Sequence, residues 1–228
     1  MTGVVTHLLA PVNRAAAAAL ELPRTLEAAA GVVLTFDDGP HPEGTPAILE
    51  LLAHHGATAT FFVIGEQVRR RPALLERVRA SGHQVALHGD RHRLQLRLSR
   101  AAVIADLRRG AAAIEDALGE RPRWHRPPYG IYSPAGLAAA RAAGLTPVLW
   151  SRWGKDWRRL TTPARIARRA THGLLPGDVI LLHDADLYSS RGSHLRTAAA
   201  VELVLAELDR RKLCTVLPAD VVARAHTG

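Results

Sequence analysis

Seven short apolar runs recur along this chain and alternate with stretches of helical spacing. The runs are Val32–Phe36, Thr58–Ile64, His83–His88, Arg123–Arg126, Thr146–Trp150, Asp178–His183 and Cys214–Leu217. Short runs bounded by turn residues and enriched in β-branched and aromatic side chains read as buried strands. Between them, Ile48, Leu51 and Leu52, and then Leu74, Leu75 and Val78, repeat every three or four residues, as on one helix face. Thr45-Pro46, Ser133-Pro134 and Thr162-Pro163 place a capping hydroxyl before a first-turn proline. Gly56, Gly82, Gly119, Gly144 and Gly173 stand where left-handed helix ends are expected. Strands alternating with helices of this length require a parallel sheet with right-handed crossovers. No glycine-rich phosphate loop follows the first run, and polar clusters recur at the C-terminal ends of several runs. That distribution favours a barrel with its site in the top loops over an open doubly wound sheet.

The bulk chemistry excludes several classes. The 228 residues are 47% hydrophobic and 22% charged, enough for a well-filled core and too apolar for disorder. The net charge of +9 is carried almost wholly by Arg, Lys155 and Lys212 being the only lysines, as a GC-rich coding bias would give. No basic block interleaves with aromatics, so no nucleic-acid partner is expected. Cys214 is the only cysteine, which rules out an intrachain disulfide. No apolar stretch is long enough to span a bilayer. Val4–Ala10 makes a poor signal peptide, being short, carrying His7, without a basic segment before it and followed at once by Pro11, Asn13 and Arg14; on that ground a cytoplasmic location is expected, with action at a cell wall or outside the cell left open. Residues 1–30 read as an N-terminal extension, with a short outer helix over Ala15–Leu22, and residues 31–228 as the domain.

Four strand ends carry the chemistry. The first run ends in TFDDGP, residues 35–40. Neighbours on a strand point to opposite faces, so Asp37 and Asp38 are free to take different roles, one binding a metal and one acting as a base. The third run ends in HGDRH, where His88 and His92, four apart, would share one face of a helical turn and reach one ion. One carboxylate, two histidines and an open position make the ligand count of a catalytic zinc site. Asp90 and Arg91 between them read as solvent-facing or outer supports. The fourth run ends in RPPYG, where Pro127 and Pro128 stiffen the segment that holds Arg126 near the carboxylates, and Tyr129 could offer its backbone N–H to an anionic intermediate. Trp150, Trp153 and Trp157 are either core or the wall of a sugar site, with Asp156 the one carboxylate among them. The sixth run leads into His183, placed for acid–base work.

This set resembles the polysaccharide deacetylases of carbohydrate esterase family 4, the NodB-homology domain. Five motifs agree in order: TFDDGP at 35–40, HGDRH at 88–92, RPPYG at 126–130, Asp156-Trp157 and LLHD at 181–184, over roughly Gly31–Leu217. The resemblance implies a distorted (β/α) barrel of about seven parallel strands and metal-dependent removal of acetyl groups, from N-acetylated amino sugars or from O-acetylated xylan. By matching positions it implies Asp38, His88 and His92 as metal ligands, with Zn2+ ahead of Co2+, Ni2+ or Mn2+. It implies Asp37 as base held by Arg126, and His183 as acid tuned by Asp156. Tyr129 would supply an oxyanion donor, and Trp157 and Leu181 would line the acetyl methyl. One departure is Gly89, where the family usually has Ser or Thr; a hydroxyl that could steady the loop is missing.

The expected partner is an acetylated carbohydrate of chitooligosaccharide or peptidoglycan type. Competing readings are an acetyl-xylan esterase, a small-amide hydrolase and a non-catalytic carbohydrate binder on the same scaffold. Trp153 and Tyr188 are expected to flank the acid–base loops as stacking walls of an open groove, with Arg191 or Arg196 beside them.

Overall fold

The strand Gly31–Asp37 (β1) is buried along its whole length, as a strand covered on both faces must be. A computed structural model describes Leu20, residues 22–26 and residues 31–219. In chain order β1 is followed by α1 (Gly44–His54), β2 (Thr60–Val63), α2 (Gly65–Arg70), α3 (Pro72–Ala80) and β3 (Gln84–Leu87). Next come α4 (Arg100–Leu118), β4 (Trp124–His125), α5 (Pro134–Ala142), β5 (Thr146–Pro147) and β6 (Arg152–Trp153). The described chain ends with α6 (Pro163–Thr171), β7 (Val179–His183), α7 (Ser193–Arg211) and β8 (Cys214–Thr215).

The sheet runs β5-β4-β3-β2-β1-β7-β6, and β8 pairs with β1 beside this path. Every pairing between these strands is parallel. The result is a distorted (β/α) barrel: a curled sheet whose end strands, β5 and β6, do not pair with each other. An extended segment, Leu22–Leu26, ties the β5–β6 connection to the entry of β7. Leu149 N–H donates to Pro23 O and Leu26 N–H to Gly177 O, both at 2.8 Å, and Thr25 forms an antiparallel bridge with Asp178. The described part of the N-terminal region is therefore extended and joined to the barrel, with Leu22 in the core. The helix expected over Ala15–Leu22 lies mostly outside the described residues. No helix among the described residues is long and apolar enough to cross a membrane.

Local chemistry explains the element ends. Ser133 and Thr162 cap α5 and α6, accepting from Gly136 N–H at 3.0 Å and Arg165 N–H at 3.3 Å. Thr45 does not cap α1, which starts one residue earlier. Its hydroxyl donates instead to Asp184 Oδ2 at 2.5 Å, inside the domain. The strand β6 is an element the sequence pattern does not reveal. Two residues, Arg152 and Trp153, form no apolar run, and their pairing with Ile180 and Leu181 of β7 makes them a strand.

Gly110 sets how closely α4 approaches the sheet. A Cβ there would stand 2.7 Å from Leu87 Cδ1 and 2.9 Å from Asp90 N, at the end of β3 and in the loop after it. Gly110→Val should therefore cost about 1–3 kcal/mol by overpacking. At roughly 2–4 °C per kcal/mol for a domain of this size, its melting temperature should fall by several degrees. Ala112→Val on the exposed face of the same helix should change it much less, and equal losses in the two variants would contradict this packing.

Candidate active site

At the C-terminal end of β1 the backbone breaks out of the strand, because Asp38 adopts φ +84°. The left-handed region is strained for a residue with a Cβ and collects at functional sites. The turn overrides the strand alternation expected for the Asp pair. Both carboxylates reach one pocket, with His88 Nε2 3.8 Å from Asp37 Oδ2 and 3.5 Å from Asp38 Oδ1.

His88 and His92 also converge, but not on a helical turn. Residues 88–92 form an irregular loop after β3, with Gly89 at φ +102°. The loop is pinned by buried carboxylates. Asp90 N–H donates to Asp106 Oδ2 at 2.9 Å, and Arg93 reaches Asp106 Oδ1 at 2.6 Å. Asp90 is itself buried, with Arg69 at 2.5 Å and Arg109 at 3.0 Å, so it supports the loop from behind and is not solvent-facing. Gly89 suits this conformation, since few L side chains adopt that φ and a Cβ would stand 3.0 Å from Asp106 Oδ2.

The donor set fits a divalent cation. Asp38 Oδ1 is buried without a hydrogen bond, and it stands 3.5 Å from His88 Nε2 and 3.4 Å from His92 Nε2. His88 Nδ1 lies 2.8 Å from the Arg126 carbonyl; donating there, it leaves the Nε2 lone pair directed at the pocket. Burial, then the Arg126 charge, pushes the His88 pKa down to about 3, so the ring stays neutral as a ligand must. Burial, with Asp37 and Asp184 adding to it against the opposing charge of His183, lifts Asp38 to about 7. A cation at this point would relieve that cost.

Arg126 is completely buried. It donates to Asp37 Oδ1 at 2.7 Å and Thr35 Oγ1 at 2.9 Å, and to the carbonyls of Val148 and Leu149 at 3.2 and 2.9 Å. Its guanidinium carbon sits 4.0 Å above the Phe62 ring. Burial raises the Asp37 pKa, and Arg126 opposes the rise. Tyr129, two residues beyond Pro127, is held at φ +63°, a second strained non-glycine residue at the pocket.

His183, the register partner of Asp37, closes the strand beside it. Its Nδ1 is 2.9 Å from Asp156 Oδ1, and its backbone N–H donates to Asp156 Oδ2 at 2.7 Å. Asp156 is fully buried and also accepts from the Thr197 hydroxyl at 2.9 Å. Burial pulls the His183 pKa down, but the Asp156 charge and hydrogen bond, with Asp38 and Asp37 beyond, outweigh it and raise it to about 10. The tryptophans form a ladder, Trp150 to Trp153 at 5.5 Å and Trp153 to Trp157 at 4.5 Å, ending edge-on at His183, 5.9 Å from Trp157. Leu181 is buried two residues before His183, on the same strand face. Tyr188 lies across the pocket, stacked on His92 with ring centres 4.4 Å apart. Trp153 is partly buried within that ladder, and Arg196 braces Ser190 at 2.7 Å. Sequence reasoning passed over Thr35, Asp106 and Thr197, whose roles depend on partners distant in the chain.

The sequence profile described as "Polysaccharide deacetylase" matches residues 27–148, more than half of the chain. The chain belongs to this family. It is 38% identical to a chitooligosaccharide deacetylase of Sinorhizobium fredii, over 86% of this chain and 94% of that protein. A peptidoglycan-N-acetylglucosamine deacetylase of Bacillus cereus is 33% identical over 86% of this chain and 89% of its own length. Among solved structures, a family 4 carbohydrate esterase from Streptomyces lividans in complex with acetate superposes with a TM-score of 0.74 at 30% identity, covering 85% of this chain and 96% of that one. This family member is a hydrolase of carbon–nitrogen bonds other than peptide bonds, a polysaccharide deacetylase.

The raised pKa of His183 has a consequence for stability. Its ordinary value is 6.5, so the stabilisation from the bound proton is complete below that pH and is lost as pH rises towards about 10. The melting temperature of metal-free protein should therefore fall steadily between pH 7 and 10. In Asp156→Asn, which removes the largest factor raising the pKa, that slope should flatten. An unchanged slope in differential scanning calorimetry would show that the pair does not set it.

Proposed function

We propose that this deacetylase removes acetyl groups from N-acetylated amino-sugar oligomers or polymers, of chitooligosaccharide or peptidoglycan type. Asp38, His88 and His92 would hold the divalent ion, with zinc the first choice for two imidazoles and one carboxylate. When bound, such an ion supplies Lewis acidity to the acetyl carbonyl and acidifies water. The observation that carries the reading is the opposition of Asp37 and His183 on adjacent strand ends, one held by a buried cation and the other by a buried anion.

The two environments divide the labour. Asp37, fixed through Oδ1 by Arg126, keeps Oδ2 turned to the pocket and accepts the proton of the water whose oxygen adds to the acetyl carbon. Burial keeps this carboxylate more basic than an exposed one, which suits a general base. His183, its Nδ1 engaged by Asp156, delivers the Nε2 proton to the amide nitrogen as the C–N bond breaks. Without that proton the amine would leave as an anion. The products are acetate and a free amino sugar. The strained turn at Tyr129 supports its backbone N–H as a donor to the oxyanion formed between the two proton transfers. Trp157 and Leu181 pack beside His183, where an apolar lining suits a methyl group.

Acetate and amine release from chitooligosaccharides, peptidoglycan fragments, acetylated xylan and small amides tests the reading. Amine should appear from the amino-sugar oligomers and vanish on chelation. Asp37→Asn should lower kcat by about 10²-fold or more while leaving the metal content near wild type. Asp38→Ala should lose metal and activity together. Full activity in Asp38→Ala would sink the metal assignment; release from xylan or small amides alone would move the substrate class. Carbohydrate binding that survives chelation, without any release, would leave a binding protein.

A further inference from the structure

A second histidine–carboxylate cluster, His41, Asp186 and His194, lies between the β1–α1 turn and the start of α7. It is the same set of residue types as Asp38, His88 and His92, and its geometry is different. In the first set one oxygen, Asp38 Oδ1, faces both imidazoles. In the second the carboxylate splits: Oδ1 stands 3.3 Å from His41 Nε2, and Oδ2 stands 3.3 Å from His194 Nδ1. His41 Nδ1 accepts from the backbone N–H groups of Glu43 and Gly44, at 3.3 and 3.0 Å. The neutral ring therefore carries its proton on Nε2, and that nitrogen has no lone pair for a metal. Asp186 Oδ2 is further committed to the Gly192 N–H at 2.7 Å. His194 turns its Nε2 towards Glu43 Oε2 at 3.5 Å, and the two imidazoles lie 4.4 Å apart. The arrangement bridges chain segments and does not converge on an ion.

The bridged segment is the loop carrying Tyr188. Asp186 closes its base twice, through Ser189 N–H on its carbonyl at 3.1 Å and Gly192 N–H on its side chain. Ser190 N–H is held by Trp157 O at 3.2 Å. From this frame the Tyr188 ring lies almost parallel to His92, at 10°, with its hydroxyl accepting from Gln67 Nε2 at 3.2 Å. Asp186 thus links the turn that follows Asp38 to the aromatic that covers His92.

We propose that Asp186, shared by His41 and His194, is a positioning residue that holds Tyr188 flat against His92 and so sets the grip on the sugar chain. This rests on the deacetylase reading above. Asp186 touches neither the reacting groups nor their ligands, so its effect belongs to binding.

Two measurements keep the proposal and that reading apart. Amide hydrogen exchange, which needs no activity, should show residues 187–192 exchanging faster in Asp186→Asn, with residues 88–92 unchanged. Kinetics on N-acetylated chitotetraose should show KM raised about tenfold with kcat nearly unchanged, and a small N-acetyl amide should show little effect. Adding Asp186→Asn to Tyr188→Ala should raise KM no further, because the first acts through the second. Unchanged exchange, independent multiplying effects, or an equal loss of kcat on long and short substrates would overturn the proposal. So would a second metal equivalent that disappears in Asp186→Asn. If that variant does not fold, His194→Gln, which opens only the α7 side of the bridge, is judged by the same criteria. Absence of amine release by the wild type, with exchange behaving as expected, would overturn the deacetylase reading and leave the bridge standing.

Discussion

The pocket depends on one buried cation. Arg126 gives hydrogen bonds to Thr35 and Asp37 of β1 and to two carbonyls beyond β5, while its own carbonyl faces His88 Nδ1. A guanidinium without solvent is tolerable only when its donors are matched, and its planar fork allows several matches at once. Lysine could not reach the same set from one point. Breaking such a pair by removing one partner typically costs about 3–5 kcal/mol, because the remaining charge stays buried. Arg126 thus fixes the direction of Asp37, the tautomer of His88 and the approach of three strand ends.

The electrostatics of Asp37 and His183 follow from that arrangement. Asp37 faces the Arg126 guanidinium and His183 faces the Asp156 carboxylate, and each neighbour favours the charged form of its partner against the cost of burial. Arg126 opposes but does not cancel the effect of burial on Asp37, whereas Asp156 outweighs burial and keeps the proton on His183. Thr197 and the His183 backbone share the second oxygen of Asp156, leaving the first for the imidazole. The hydrogen bonds that hold Asp156 therefore also decide which of its oxygens acts.

What the chain made legible was local. The apolar run before Asp37, the hydroxyl–proline pairs at Ser133 and Thr162, and the glycines at helix ends are each set by a few adjacent residues. Those readings agree with the structure, as does the parallel barrel of about seven strands that they compose. The misreadings share a cause. Thr45 carries the same cap signal as Ser133, yet a buried carboxylate 139 residues away takes its hydroxyl. His88 and His92 have helical spacing, but Asp106 and two arginines pin a loop instead. The strand β6 has no pattern of its own and exists through pairing with β7. Partners brought together by topology are invisible to spacing, and the Asp37–Arg126 pair was placed through its motifs, not through any periodicity.

The limit is sharpest where identical residue types do different things. Two sets of two histidines and one aspartate flank the same turn, and composition cannot separate them. They differ in whether one carboxylate oxygen or two meet the rings, and in what the far nitrogen of each ring does. Where a ring donates its far N–H to a carbonyl, as His88 does, the near nitrogen is free to bind a cation. Where the far nitrogen accepts backbone N–H groups, as in His41, the near nitrogen keeps its proton and can only donate. The Glu43 and Gly44 amides at the start of α1 thus decide the chemistry of a side chain three residues from Asp38. The same turn that strains Asp38 into the pocket delivers His41 to those amides, so one bend of the backbone places both side chains.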